Sequence, residues 1–206
     1  MNLQVNLGKL TLSNPIILAS GTAGYGREIA PYLDLNRLGA LTLKGLSLNP
    51  WMGNPPPRIH ETYAGIMNSI GLENKGFDQF VGEDLPFLEK FKTKIIANIW
   101  GKTIEEYSDI AQKMNELERI DAIEVNVSCP NLEQGGKSFS SNSHVLCRLI
   151  QVLRQKVQKP LIVKLGPNTD DLNQVLLFME KEGVDILSMT NTFPSLAVDV
   201  ENQKFI

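Results

Sequence analysis

The stretch AIEVNVSCPN, residues 122–131, runs from apolar residues into two asparagines, a serine and the thiol of Cys129. A thiol with a perturbed pKa can move one proton. Asn126 and Asn131 flank it, and asparagine amides offer donor and acceptor together, which suits the edge of a planar heterocycle with alternating C=O and N–H groups. Other apolar runs end in residues of the same kinds: Ser20, Gly21 and Thr22, then Lys44 and Gly45, Asn98, Lys164, and Asn191 with Thr192. The two lysines can neutralise a carboxylate or an anionic ring. No histidine belongs to this set, and the acid Glu124 lies inside a run. That argues against hydrolysis by a nucleophile triad or by paired acids. The inventory is better suited to holding a polar ring than to cleaving a bond with water.

Each residue also has a plainer reading. A single cysteine is commonly an inert small hydrophobe, and Cys147, within HVLCRLIQVL at helical spacing, has only that core reading. A strand-end lysine is usually a surface charge. Two lysines in otherwise apolar runs, together with several strand-end asparagines, are harder to dismiss. His60 reads as structural or solvent-facing, and SGTAGYG does not match the dinucleotide fingerprint, so no nicotinamide site is read there. Cys129 and Cys147 make no disulfide framework, and no Cys/His cluster has zinc spacing.

The elements that must position these groups alternate. Apolar, β-branched runs at 15–20, 40–44, 94–99, 122–128, 161–165 and 186–190 are interleaved with helical spacing at 26–33, 77–90, 103–117, 142–157 and 170–182. Continuous rather than alternating apolar runs imply a parallel sheet covered on both faces. Thr103 with Glu106 can form a capping box, and the polar residues 168–171 offer several N-caps. Segments 4–6 and 9–12 read as a small hairpin around Leu7 and Gly8. Residues 45–76, which include Asn54, Pro55, Pro56 and Pro57, form a connection long enough to be read as an active-site insertion.

Six βα units favour a TIM (β/α)8 barrel of the α/β class, in which catalytic groups sit at the C-terminal ends of the strands. Such a barrel has eight strands and typically about 250 residues. At 206 residues the expectation is one barrel domain lacking its C-terminal part. Apolar residues at 42%, charged residues at 21% and a net charge of −3 without a basic stripe fit a globular domain and speak against nucleic acid or a membrane surface as partner. No apolar run approaches the roughly 20 residues of a membrane span, and residues 1–8 lack a signal-peptide pattern. A cytoplasmic location is therefore expected.

In order along the chain, NPIILASGTAGYG, LTLKGLSLNPWMGNPPPRIHET, AGIMNSIGLENKG, EVNVSCPN, VKLGPN and SMTNTFPSLAVDVE resemble the catalytic subunit of class 1 dihydroorotate dehydrogenases, in particular the NAD-linked 1B form. That resemblance implies an FMN enzyme that oxidises dihydroorotate to orotate in pyrimidine synthesis. It implies Cys129 as general base for the C5 proton while hydride leaves C6 for the flavin. Ser20, Gly21, Lys44, Asn98, Asn126 and Lys164 are implied as FMN contacts, with Lys164 balancing charge on the reduced ring. Lys44, Asn68, Gly71, Leu72, Asn126, Asn131, Asn191 and Thr192 are implied as substrate contacts, and no metal is implied. A homodimer and an iron-sulfur, FAD-containing electron-transfer subunit are the implied partners. Ala23, Gly166 and Ser140 depart from the family wording without removing a reacting group. The family's FMN phosphate loops fall in its C-terminal third, which is not matched here. Alternatives are a fumarate-linked class 1A enzyme, a dihydropyrimidine dehydrogenase, or a non-catalytic fragment; the wording GNPPPRIHET favours 1B.

Overall fold

Runs such as Lys94–Ile99 and Leu161–Leu165 are apolar at almost every position, so each face of the sheet they form needs its own cover. The computed structural model describes residues 2–128, 139, 142–167, 169 and 171–205. In chain order the elements are β1 Val5–Leu7, β2 Leu10–Leu12, β3 Ile17–Leu18, β4 Ala40–Thr42, β5 Ile59–Thr62, β6 Gly65–Asn68, α1 Phe77–Glu83, α2 Leu85–Leu88, β7 Lys94–Ile99, α3 Ile104–Glu116, β8 Ala122–Asn126, α4 Ser143–Lys156, β9 Leu161–Leu165, α5 Leu172–Lys181, β10 Ile186–Met189, β11 Val198–Asp199 and β12 Lys204–Phe205. One sheet has the order β10-β9-β8-β7-β4-β3 with every pair parallel. This is the curled, incomplete TIM-barrel arrangement of an α/β fold.

Successive strand residues point to opposite faces, and the two sets meet different partners. On one face Leu41, Ile95, Ala97, Ile123, Val125, Leu161 and Val163 pack with Tyr107, Ile110 and Met114 of α3, Leu149 and Leu153 of α4, and Met179 of α5. On the other, Ala40, Ile96, Ala122 and Ile162 form a smaller apolar layer closed by Leu10 and Leu12 of the N-terminal hairpin. Lys9 binds Asp185 at 3.0 Å and secures that hairpin below the sheet. At Gly8, φ is 52° and an added Cβ would come within 2.8 Å of the Asp185 carbonyl, so only glycine lets the hairpin seat there.

Register then determines what lies above the apolar layer. Asn98 is level with Glu124, and one step further Asn126 is level with Lys164, which is level with Ser188. The inner face therefore turns polar toward the strand C-termini.

Several elements differ from the sequence expectation. No helix forms over 26–33, although Ala30 N–H bonds to Gly26 O and Leu33 N–H to Ile29 O as isolated turns. Pro31 lacks a donor and disfavours helical backbone at Ala30. The 77–90 segment divides at Asp84, where Pro86 opens α2 and cannot continue the α1 hydrogen-bond ladder. β3 is only two residues long and lies at the sheet edge, where Pro15 cannot donate to a ladder. α3 begins as expected at the Thr103 cap, which accepts from Glu106 N–H at 3.2 Å, but the Glu106 side chain reaches back to Lys102 N–H rather than to the cap itself. Asp171 caps α5 with a left-handed backbone and no side-chain hydrogen bond. Within the 45–76 insertion β5 and β6 form an exposed hairpin, and β11 pairs with β12 after the sixth parallel strand. No helix of the described residues is long and apolar enough to cross a membrane.

Candidate active site

The strand ends collect on the polar side of the inner face. Ser20 lies past the end of β3, and its hydroxyl donates to Leu43 O at 2.8 Å, tying that end to the next strand; Gly21 beside it is exposed with φ 83°. Lys44 follows β4 and is anchored by its N–H to Gly24 O at 2.9 Å, while its half-buried ammonium lies 3.8 Å from Glu73. Asn98 donates through Nδ2 to Glu124 Oε1 at 2.6 Å; the two residues are 1% and 5% exposed. The Asn98 Oδ1 is buried without a hydrogen-bond partner among the described residues.

Asn126 and Asn191, 65 positions apart, meet directly: Asn191 Nδ2 donates to Asn126 Oδ1 at 2.9 Å. Ser128 N–H donates to the same oxygen at 3.2 Å, and the Tyr107 hydroxyl donates to the Asn126 carbonyl at 2.6 Å. Asn191 N–H reaches Leu165 O at the end of β9, and its Oδ1 accepts from Thr192 N–H at 2.8 Å. Lys164 is half-buried and, among the described residues, has no ion-pair partner. Cys129 and Asn131 lie outside the described residues.

The insertion is fastened beside this rim. Trp51 pairs with Asn74 in a β-bridge, stands edge-on to Trp100 at 6.2 Å between ring centres, and carries the Lys102 ammonium 3.4 Å from its own ring centre. Asn74 is buried; its Oδ1 accepts from Ser47 N–H and Gly76 N–H, and its Nδ2 donates to Leu72 O. Trp51 Nε1 donates to Gly71 O at 3.0 Å. Gly71 and Leu72 both take positive φ, 70° and 62°. For leucine that conformation is strained, and such strain tends to be kept at functional positions. Asn68 ends β6, is exposed, and stands level with Ile59 of β5.

A second charged group holds the insertion's far end. Lys75 contacts Asp84 and Glu83, each at 2.8 Å, and Arg27 binds Asp84 at 3.0 Å. Burial by itself lowers the Lys75 pKa, but the Asp84 and Glu83 carboxylates outweigh it and hold the ammonium above its ordinary value. Burial, reinforced by Asp84, raises the Tyr25 phenol well above its usual range.

Sequence reasoning missed five contributors: Glu73, which couples Lys44 to Arg58; Asn74; Trp100, which stands against Trp51; Glu124 as the partner of Asn98; and Tyr107 as the support of Asn126. Trp100 could have been found, because it comes two residues after Asn98 at a strand end. Glu124 needed the register of two strands.

The family model described as dihydroorotate dehydrogenase matches residues 2–206. The chain is 43% identical over 203 residues to the dihydroorotate dehydrogenase B (NAD(+)), catalytic subunit, of Geotalea daltonii. It is 44% identical over 203 residues to the protein of the same name from Thermoanaerobacter pseudethanolicus, and 44% over 202 residues to that of Thermodesulfovibrio yellowstonii. Each alignment covers 98% of this chain and 67% of the relative.

Proposed function

The chain belongs to the dihydroorotate dehydrogenase family, whose members are flavin-dependent oxidoreductases, and from that premise we propose that it oxidises dihydroorotate to orotate in pyrimidine biosynthesis. The observation that carries this reading is the contact between Asn126 and Asn191, two amides from β8 and from the loop after β10. Paired amides can read the alternating C=O and N–H groups of a pyrimidine ring, and their mutual hydrogen bond with the Ser128 N–H presets their orientation. Lys44 neutralises the substrate carboxylate. Asn68, Gly71, Leu72, Asn131 and Thr192 complete the substrate contacts. The carbonyls of Gly71 and Leu72 are already engaged by Trp51 and Asn74.

Cys129 follows Ser128 directly and takes the C5 proton as general base. Serving that role requires the thiolate form of Cys129.

The cofactor in this reading is FMN, held by Ser20, Gly21, Lys44, Asn98, Asn126 and Lys164. The residues present fit such a ring: Asn98 Oδ1 is a buried acceptor without a partner, and Lys164 is a cation without a counter-ion among the described residues. Both are groups that a bound ring with N–H and electron-rich C=O edges would satisfy. FMN, when bound, supplies the acceptor for the hydride leaving C6. Electrons then pass to NAD through a separate iron-sulfur, FAD-containing subunit, a reading supported by the relatives' name of catalytic subunit; a homodimer completes the proposed assembly.

The test is anaerobic addition of dihydroorotate to the FMN-loaded protein. Loss of the visible flavin absorbance is expected. Flavin that stays oxidised under those conditions overturns the reading. Turnover supported by fumarate without the partner subunit, rather than by NAD with it, would move the protein to the 1A form.

A further inference from the structure

An asparagine amide can sit in a site with its oxygen and nitrogen exchanged, and its hydrogen-bond partners decide which way it faces. At Asn98 the deciding partner is a carboxylate. Asn98 and Glu124 are direct neighbours on β7 and β8, and Nδ2 donates to Glu124 Oε1 at 2.6 Å with both residues buried. Because a carboxylate oxygen accepts, only the nitrogen of Asn98 can face it. The oxygen then lies toward the segment that follows β4, where a Cβ added to Gly45 would come within 2.8 Å of it. There Oδ1 has no donor among the described residues. Nor does Glu124 have a cation at ion-pair distance among the described residues. A buried carboxylate without a counter-ion and a buried acceptor without a donor both oppose folding. Two such costs on one neighbouring pair, on the polar side of the inner face, are better explained by a ligand than by stability.

We infer that Glu124 is a positioning residue for the cofactor site: it locks the Asn98 amide so that Oδ1 is offered as an acceptor to an N–H of the bound ring. The inference rests on the flavin reading above. Glu124→Gln keeps the shape but replaces a pure acceptor with an amide that can face Asn98 either way, so the lock is lost. Asn98→Asp combined with Glu124→Gln restores it in mirror form: the glutamine nitrogen donates to one carboxylate oxygen of residue 98, and the other oxygen again serves as the acceptor.

The experiment is titration of the deflavinated protein with FMN, read by flavin fluorescence, for the wild type, Glu124→Gln and the exchanged pair, with thermal melting of each apoprotein alongside. Glu124→Gln is expected to raise the FMN Kd about 10-fold or more, the effect of losing one charge-assisted contact. The exchanged pair is expected to bind within about threefold of wild type, a non-additive result that a merely structural pair would not produce. Unchanged FMN affinity in Glu124→Gln overturns the inference, as does a weakened single variant that the exchange fails to rescue although its melting is normal. If Glu124→Gln does not fold, the exchanged pair decides alone: tight FMN binding supports the lock and weak binding refutes it. Wild-type protein that takes up no FMN overturns the flavin reading and this inference together, an outcome distinct from the others.

Discussion

Asn126 is restrained at both ends, its carbonyl by the Tyr107 hydroxyl and its side chain by Ser128 N–H and Asn191 Nδ2. Replacing Asn191 with alanine removes one of these restraints and one amide of the proposed ring contact. The KM for dihydroorotate is expected to rise about 10-fold, the scale of one hydrogen bond in a desolvated site, with little change in melting temperature because Asn191 is partly exposed. Steady-state kinetics and a thermal melt check both halves. Cys129→Ala is expected to slow anaerobic flavin bleaching by about 10²–10⁴-fold, the usual contribution of a general base, while the flavin content stays the same; a near-normal rate would remove Cys129 from the mechanism. At this scale the candidate residues were visible in the sequence because strand ends announce themselves as polar residues after apolar runs. Glu73, Asn74 and Glu124 were not, because an acid or amide in a loop or inside a strand has meaning only once its neighbour is known.

Between elements, Asp185 joins three parts of the fold: Lys9 of the hairpin at 3.0 Å, Arg154 of α4 at 3.0 Å, and the Leu161 N–H at the start of β9 at 2.9 Å. Burial pushes its pKa up, but the Leu161 N–H, Lys9 and Arg154 outweigh that and hold it below the ordinary carboxylate value. A carboxyl depressed in the folded state contributes stability above the unfolded value near pH 4 and loses it as pH falls through the folded value. Asp185→Asn is therefore expected to destabilise the protein by about 1–3 kcal/mol at neutral pH and to flatten the loss of stability below about pH 4, measured by urea unfolding at several pH values. The Thr103 cap of α3 gives a second check: Thr103→Ala is expected to cost about 1 kcal/mol, a fall of roughly 2–4 °C in melting temperature for a chain of this size. Element type was legible where the hydrophobic period was sustained, as in α3, α4, β7 and β9. It was misread over 26–33, where Pro31 outweighed the helical spacing, and over 77–90 the helical type held but Pro86 divided the segment into α1 and α2.

Taken as a molecule, the described residues leave the outer sides of β3 and β10 without a strand neighbour, and Leu187, Met189, Phe193, Leu196, Val198 and Phe205 are exposed in or after β10. Unpaired strand edges beside apolar surface favour association. The 206-residue chain studied alone is expected to bind a hydrophobic dye and to self-associate; a monodisperse monomer that leaves the dye dark would refute this. The α/β class and the alternation of strands with helices were legible in the sequence because local periodicity is written along the chain. Which face of each strand carries the polar layer, which amide meets which carboxylate, and how the insertion is fastened by Trp51 and Asn74 depend on register and on contacts between residues far apart in sequence. A shift of one residue in pairing would exchange the two faces of a strand, so the Asn98–Glu124 and Asn126–Asn191 contacts exist only in the folded sheet.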